Sequence, residues 1–450
     1  MNLHLEIFPV ITVLAVTTVI AGIKFFTNAK PLDDSYSATL AAIVCSLLFS
    51  TSANATNGYF MDGVGPKAQS MTGVGIALPQ DSLAAATNPA GTALVGNRLD
   101  VGFTWFNPDR SARIKGNLAG ADGNYNGNGV SAFVIPEIGY SREISTRWSY
   151  GIAVYGNGGM NTDYSTNPFA AFGASGDAGV DLSQLIVTPS LAFRPTPAHS
   201  LGIAATFAYQ RFEANGLQPF DNAFVSAQPG KVTNNGHDSA HGWGLKLGWI
   251  GQLDENVTLG ASWSSKIETG TFGEYAGLFA DQGGFDIPAS YGAGISWNAS
   301  SALTLAADWQ RIEYSDIGSV GNSLNLLFQG NPLGADGGPG FGWSDVEVIK
   351  FGAVYALNDT VTLRGGISHA GQAISGDQTF INILAPAVIK NHGSVGAEWR
   401  TGLGEWLISY THAFEEKVAG SGSIPAAFGG GEADLTMSQS IIRFGWSSGF

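Results

Sequence analysis

The sequence predicts an all-β protein: a transmembrane antiparallel β-barrel of fourteen strands carrying an N-terminal plug in its lumen. Three observations predict it. The charge content is far below that of a soluble chain, period-two alternation recurs in segments of strand length, and the connections between those segments alternate between tight and long.

Only 13% of the 450 residues are Asp, Glu, Lys or Arg, against roughly a quarter in soluble domains. Apolar residues make up 44%. Past residue 50 no uninterrupted apolar run approaches the ~20 residues of a membrane-spanning helix. The 62 glycines and 11 tryptophans suit strands on which lipid-facing and lumen-facing residues alternate. A net charge of −15 argues against nucleic acid as a partner, because phosphate binding requires a basic surface.

At the N-terminus, residues 38–49 are apolar and lead to Ala53-Asn54-Ala55, the small-x-small pattern of a cleavable export signal. The expected organisation is therefore an N-terminal extension and signal peptide over 1–55, a plug over 56–97 and a barrel over 98–450. The single cysteine, Cys45, falls in the removed segment, which leaves the mature chain without a disulfide framework. A second apolar run, 7–23, is interrupted by Pro9 and lies upstream of the same cleavage point.

Alternation begins at residue 98. Leu201, Ile203, Ala205, Phe207 and Tyr209 alternate with small residues, and Trp243, Leu245, Leu247 and Trp249 alternate with Gly244, Lys246 and Gly248. Segments of about ten residues, the length of a tilted transmembrane strand, recur at 99–107, 130–142, 147–157, 183–194, 201–213, 241–251, 256–267, 289–298, 302–313, 346–357, 360–370, 392–400, 405–416 and 435–450. The links at 195–200, 251–255, 298–301, 358–359 and 401–404 are short, whereas segments of roughly twenty residues separate the pairs. Outer-membrane barrels have this asymmetry, with short periplasmic turns and long outer loops.

Charge placement checks the parity independently, since a charge facing lipid at mid-depth costs about 2–4 kcal/mol. Asp100, Glu137, Lys246, Asp308, Lys350, Arg364, Glu398 and Arg443 all fall on the face opposite the apolar one, which predicts a polar lumen of mixed sign. Trp148, Trp249, Trp263, Trp297, Trp309 and Trp406 fall near strand ends, the depth of the membrane interface. The last strand carries Ile442, Phe444, Trp446 and terminal Phe450. A terminal aromatic there resembles the signal read by the barrel-assembly machinery.

Residues 56–97 lack alternation and are rich in Gly, Ala and short polar residues. Asn57-Gly-Tyr-Phe60, Gly73-Val-Gly-Ile-Ala77, Asp81-Ser-Leu-Ala-Ala-Ala-Thr87 and Asn88-Pro89-Ala90-Gly91 resemble the N-terminal hatch of the FadL family (OmpP1/FadL/TodX type), outer-membrane channels for long-chain fatty acids and aromatic hydrocarbons. Similarity continues at Asp308-Trp-Gln-Arg311, Tyr314-Ser-Asp-Ile317, Phe341-Gly-Trp343, Asn382-Ile-Leu-Ala-Pro386 and the terminal strand, so that it covers essentially all of 56–450. The resemblance implies a fourteen-stranded barrel plugged by the hatch, which takes up hydrophobic compounds, foremost long-chain fatty acids, by capture at the outer loops and sideways release into the membrane.

Three sets of residues are candidates for that path. Leu217, Phe220 and Phe224 on one outer loop and Phe272, Leu278 and Phe279 on another are expected to capture ligand, or else to pack among themselves. Lys246, Lys350, Arg364 and Arg443 could pair with a ligand carboxylate, whose burial demands a cation or hydrogen-bond donors; the alternative is an internal ion-pair network. Pro136, Gly156, Gly158, Gly159 and Pro189 cluster on or beside the third strand, where residues that break a hydrogen-bond ladder could open a side window.

No Gly-x-Ser-x-Gly elbow or His-Glu-x-x-His pattern occurs, so no enzyme is expected. Asp122, Asn124, Asn126 and Gly127 mimic the start of a calcium loop, but Phe133 stands where a bidentate Glu is needed. Neither metal nor cofactor is expected. The expected partners are hydrophobic small molecules, outer-membrane lipid and lipopolysaccharide around a monomeric barrel, and the assembly machinery during biogenesis. The competing reading is a porin for hydrophilic solutes or a surface receptor.

Overall fold

The computed structural model describes residues 57–450; the expected signal peptide, the upstream apolar run and Cys45 fall outside the described residues. Fourteen antiparallel strands, each bonded to its neighbours in the chain, form a closed ring. They are β1 Arg98–Lys115, β2 Phe133–Glu143, β3 Trp148–Tyr164, β4 Ala178–Thr196, β5 His199–Asn215, β6 Asp238–Gln252, β7 Val257–Ser264, β8 Ser290–Asn298, β9 Leu303–Ile312, β10 Val346–Ala356, β11 Val361–Ala370, β12 Asn391–Thr401, β13 Gly404–Val418 and β14 Glu432–Gly449. Two short strands, Gly123–Asn126 and Glu268–Thr269, pair with β1 and β6 without joining the ring. Closure is made by β1 against β14, in unbroken register from Arg98↔Gly449 to Lys115↔Glu432. The ring therefore has no free edge strand, the condition for a sheet in hydrocarbon, and among the described residues its one long gap in pairing lies between β2 and β3.

The faces are inverted relative to a soluble protein. Trp243, Val395 and Ile367 are 68%, 65% and 63% exposed on the outside, while Asp100, Glu137, Asp308, Lys350 and Arg443 are buried within. Exposed apolar side chains on alternate positions of strand after strand cost heavily in water and are favourable in lipid.

All fourteen predicted strands are present, in the predicted order, but β1, β3 and β4 run well beyond the predicted stretches. Residues 108–115 continue the β1–β14 ladder although Pro108, Asp109, Arg110 and Arg113 break the apolar alternation. Above the membrane a strand needs hydrogen-bond partners and no greasy face. Alternation therefore marks the bilayer-embedded part of a strand only.

The long connections fold over one mouth of the barrel. Short helical turns within them bury Phe169, Phe220, Phe272, Tyr275, Phe285, Tyr314, Trp343 and Phe380 in a single apolar cluster with the upper ends of the strands. The segment 57–97 lies inside the ring, as short turns at Pro66–Gln69, Ala84–Thr87 and Pro89–Ala93.

Candidate functional site

The lumen charges predicted from strand parity have one common partner. Asp100 accepts from the Ser82 amide at 2.8 Å, Glu137 from the Gly65 amide at 3.0 Å, and Asp308 from the Gly75 and Ile76 amides at 2.7 and 3.0 Å. Lys246 donates to the Ala86 carbonyl, Lys350 to the Asp62 carbonyl at 2.7 Å, and Arg364 to Gln80 at 3.2 Å. Glu398 pairs with Lys67 at 3.1 Å, and Arg443 grips the Asp62 carboxylate at 2.7 and 2.9 Å. All eight reach segment 57–97. Charge-assisted bonds of this kind are about twice as strong as neutral ones, and they hold the segment on every side.

The Asn88-Pro89-Ala90-Gly91 element is pinned to the opposite wall. Asn88 is fully buried; its Oδ1 accepts from the Ala90 amide at 3.1 Å, and its Nδ2 donates to the carbonyls of Ile76 (2.8 Å), Trp249 (3.1 Å) and Ala261 (3.3 Å). Such contact requires bare backbone on the wall. A Cβ on Gly248 would sit 1.9 Å from Asn88 Oδ1, and one on Gly202 would sit 2.1 Å from the Ala90 nitrogen.

Between the segment and the wall lies a cavity of about 90 Å³. Phe60 and Tyr155 are among its apolar lining; Asn157, Lys246, Asp308 and Lys350 are among its polar groups. These cations are not equivalent. Arg364 is committed to Glu398 at 3.2 Å and Arg443 to Asp62, which is the internal network offered as the alternative to ligand binding. Lys350 stands opposite Asp308 in the β9–β10 register. Lys246 faces Ala204 and Ser264 on its neighbouring strands, and among the described residues no carboxylate forms an ion pair with it.

The wall beside the cavity is incomplete. β2 and β3 share a ladder only from Ile138↔Val154 to Glu143↔Ser149. Beyond it, residues 133–137 still pair with β1 and residues 155–164 still pair with β4. Among the described residues no ladder pair joins those two stretches to each other until the Asn128↔Asp163 bridge. Extending the register would place Pro136, which has no N–H to donate, opposite Gly156. The β3–β4 register slips between Gly156 and Gly158, a bulge that turns the β3 backbone toward the lumen.

There the N-terminal arm takes up the freed groups. The Met61 amide donates to the Asn157 carbonyl and the Gly159 amide to the Tyr59 carbonyl, both at 3.0 Å. A Cβ on Gly158 would fall 1.7 Å from the Tyr59 carbonyl oxygen. Tyr59 and Phe60 pack against Tyr314 of the loop cap, whose hydroxyl donates to the Asn57 carbonyl. Burial, and for Tyr59 also its neighbour Tyr314, pushes both phenols well above their usual range, so both remain neutral.

The structure thus brings Pro136, Gly156, Gly158 and Gly159 to one seam, and leaves Pro189 elsewhere. Pro189 lies on β4 opposite Ile152 of β3, where the ladder from β4 to β5 skips a step between Val187 and Ser190. Of the six candidate capture residues, Leu217, Phe220, Phe272, Leu278 and Phe279 are buried in the loop cap and Phe224 is 95% exposed. Tyr155, Asn157 and Phe60 were not among the predicted residues. Tyr155 and Asn157 share the stretch of β3 that holds the breakers, and that proximity was the available signal.

The sequence matches the family described as outer membrane protein transport protein (OMPP1/FadL/TodX) over residues 49–418. The chain belongs to this family. It is accordingly an outer-membrane transport barrel and not an enzyme. Among solved structures, the fold is shared with the Pseudomonas putida toluene transporter TodX (17% identity, TM-score 0.63, covering 87% of this chain and 99% of that one). It is also shared with a Pseudomonas aeruginosa FadL homologue (17%, 0.63, 87% and 98%) and with the Ralstonia pickettii toluene transporter TbuX (17%, 0.59, 86% and 98%). A search of curated protein sequences gave no match.

Proposed function

We propose that this barrel takes up hydrophobic molecules from outside the cell, holds them in the cavity under the loop cap, and releases them sideways into the membrane between β2 and β3. Segment 57–97 acts as the hatch that denies them a route straight through. The observation that carries this reading is the unpaired seam, which opens the wall at Tyr155 and Asn157, residues that also line the cavity. An apolar molecule gains about 0.8 kcal/mol for each methylene kept out of water, so lipid is a better destination than an aqueous lumen.

The substrate includes monoaromatic-sized hydrocarbons and long-chain fatty acids, and the two make different demands. The toluene transporters TodX and TbuX share the fold, and a cavity of about 90 Å³ accommodates a small ring more readily than an acyl chain. Lys246, without an ion-pair partner among the described residues, supports a carboxylate-bearing ligand. The exposed Phe224 and the apolar cap beside it are where capture begins.

The seam can be closed covalently. Cysteines introduced at Pro136 and Gly156, with Cys45 as the sole native cysteine, would join the two strands when oxidised. Uptake of a labelled hydrophobic tracer should stop on oxidation and return on reduction. Equal uptake by the oxidised and reduced forms, with the crosslink verified, rules out sideways exit at this seam.

A further inference from the structure

Just below the backbone bridge that closes the upper end of the seam, one side chain spans its two sides. Arg110 continues the lumen-facing parity of Asp100 and Thr104 on β1, twelve strand positions above Arg98, and is 2% exposed. Its guanidinium reaches across the end of β2 to β3. Nη2 donates to the Val130 carbonyl, just before β2, while Nη1 donates to the Asn161 carbonyl and, at 3.1 Å, to Asn161 Oδ1 on β3. Nε donates to Asn128 Oδ1 at 3.3 Å, and the cation lies 5.9 Å above the Phe133 ring.

A buried guanidinium is costly unless paired, yet among the described residues no carboxylate forms an ion pair with Arg110. Its donors are spent on carbonyl and amide oxygens from both sides of the seam. The planar fork of arginine suits this bridging role, because it presents donors in several fixed directions at once. Just beyond it the chain closes by backbone alone, through Gly129 N to the Asp163 carbonyl (3.0 Å) and Asp163 N to the Gly127 carbonyl (3.1 Å).

We propose that Arg110 is a buckle: it fixes the upper limit of the opening between β2 and β3, and so determines how bulky a molecule can leave through it. This rests on sideways exit at the seam. The geometry gives the buckle a definite span, since release of Arg110 frees residues 130–137 from residues 155–161 up to the Asp163 bridge.

The test uses the full-length protein carrying Arg110→Met, which keeps side-chain length without donors, and Arg110→Lys, which keeps the charge with a single point of attachment. Folding is verified by gel mobility of the unheated barrel. Spin labels at Ala132 and Ser183 straddle the seam, and their distance distribution in lipid nanodiscs reports its width. The expected result is a longer-distance component in Arg110→Met and a smaller one in Arg110→Lys. Uptake of a fused-ring hydrocarbon relative to a linear one should rise by at least about tenfold in Arg110→Met, the ratio that the loss of even one of its bonds to a charged group would set.

Unchanged distances and an unchanged uptake ratio in a folded variant overturn the buckle. Should Arg110→Met fail to assemble, the same two readings on Arg110→Lys decide. If the wild-type protein transports neither hydrocarbon, sideways uptake is what fails, and the distance measurement still decides whether Arg110 holds the seam.

Discussion

Lys246 and Arg443 lie on the same lumenal face and have different fates. Arg443 is held in place by both oxygens of Asp62 and by Thr411, so a ligand carboxylate could engage it only by displacing a buried ion pair, which costs several kcal/mol. Lys246 gives up one carbonyl contact. Replacing it with methionine should therefore lower uptake of a carboxylate-bearing hydrophobe by about tenfold, the value of one bond to a charged group, while uptake of a neutral molecule of equal size stays unchanged. Paired tracers, one ionised and one neutral, measure this. An equal loss for both would assign Lys246 to holding the hatch at Ala86.

Among the elements, β3 is the most heavily modified. Its lower half is an ordinary barrel strand paired on both sides, and its upper half exchanges β2 for the N-terminal arm. Gly158→Val should expel that arm, because the added Cβ occupies the place of the Tyr59 carbonyl. The expected outcome is a folded barrel whose residues near 57–61 become accessible to protease, read by N-terminal sequencing of the cleaved product. Strand existence was legible because a single physical rule, apolar outward and small or polar inward, acts on every residue in the bilayer; Leu201 to Tyr209 and Trp243 to Trp249 obey it without exception. The rule stops at the membrane surface, so the upper half of β1, and Arg110 with it, passed unnoticed. The breakers at Pro136 and Gly156 were visible as chemistry. The partner of each lumen charge was not, since Arg443 and Asp62 stand 381 positions apart and nothing in a strand's alternation says what fills the ring.

For the whole molecule, the relation between barrel and inner segment decides what can pass. A porin conducts ions because its lumen is open to water; here eight lumen charges are bonded to residues 57–97. In planar bilayers the intact protein should show conductance near baseline, and a variant lacking 57–97 that still assembles should show stable ion-conducting steps. A large steady conductance from the intact protein would favour the hydrophilic-porin reading. The commitment of the lumen charges also bears on the cell's defences. If cargo leaves through the wall while the hatch stays bound, nutrient entry and permeability become separate properties: the membrane admits oily molecules without acquiring a hole through which salts, detergents or charged antibiotics could follow.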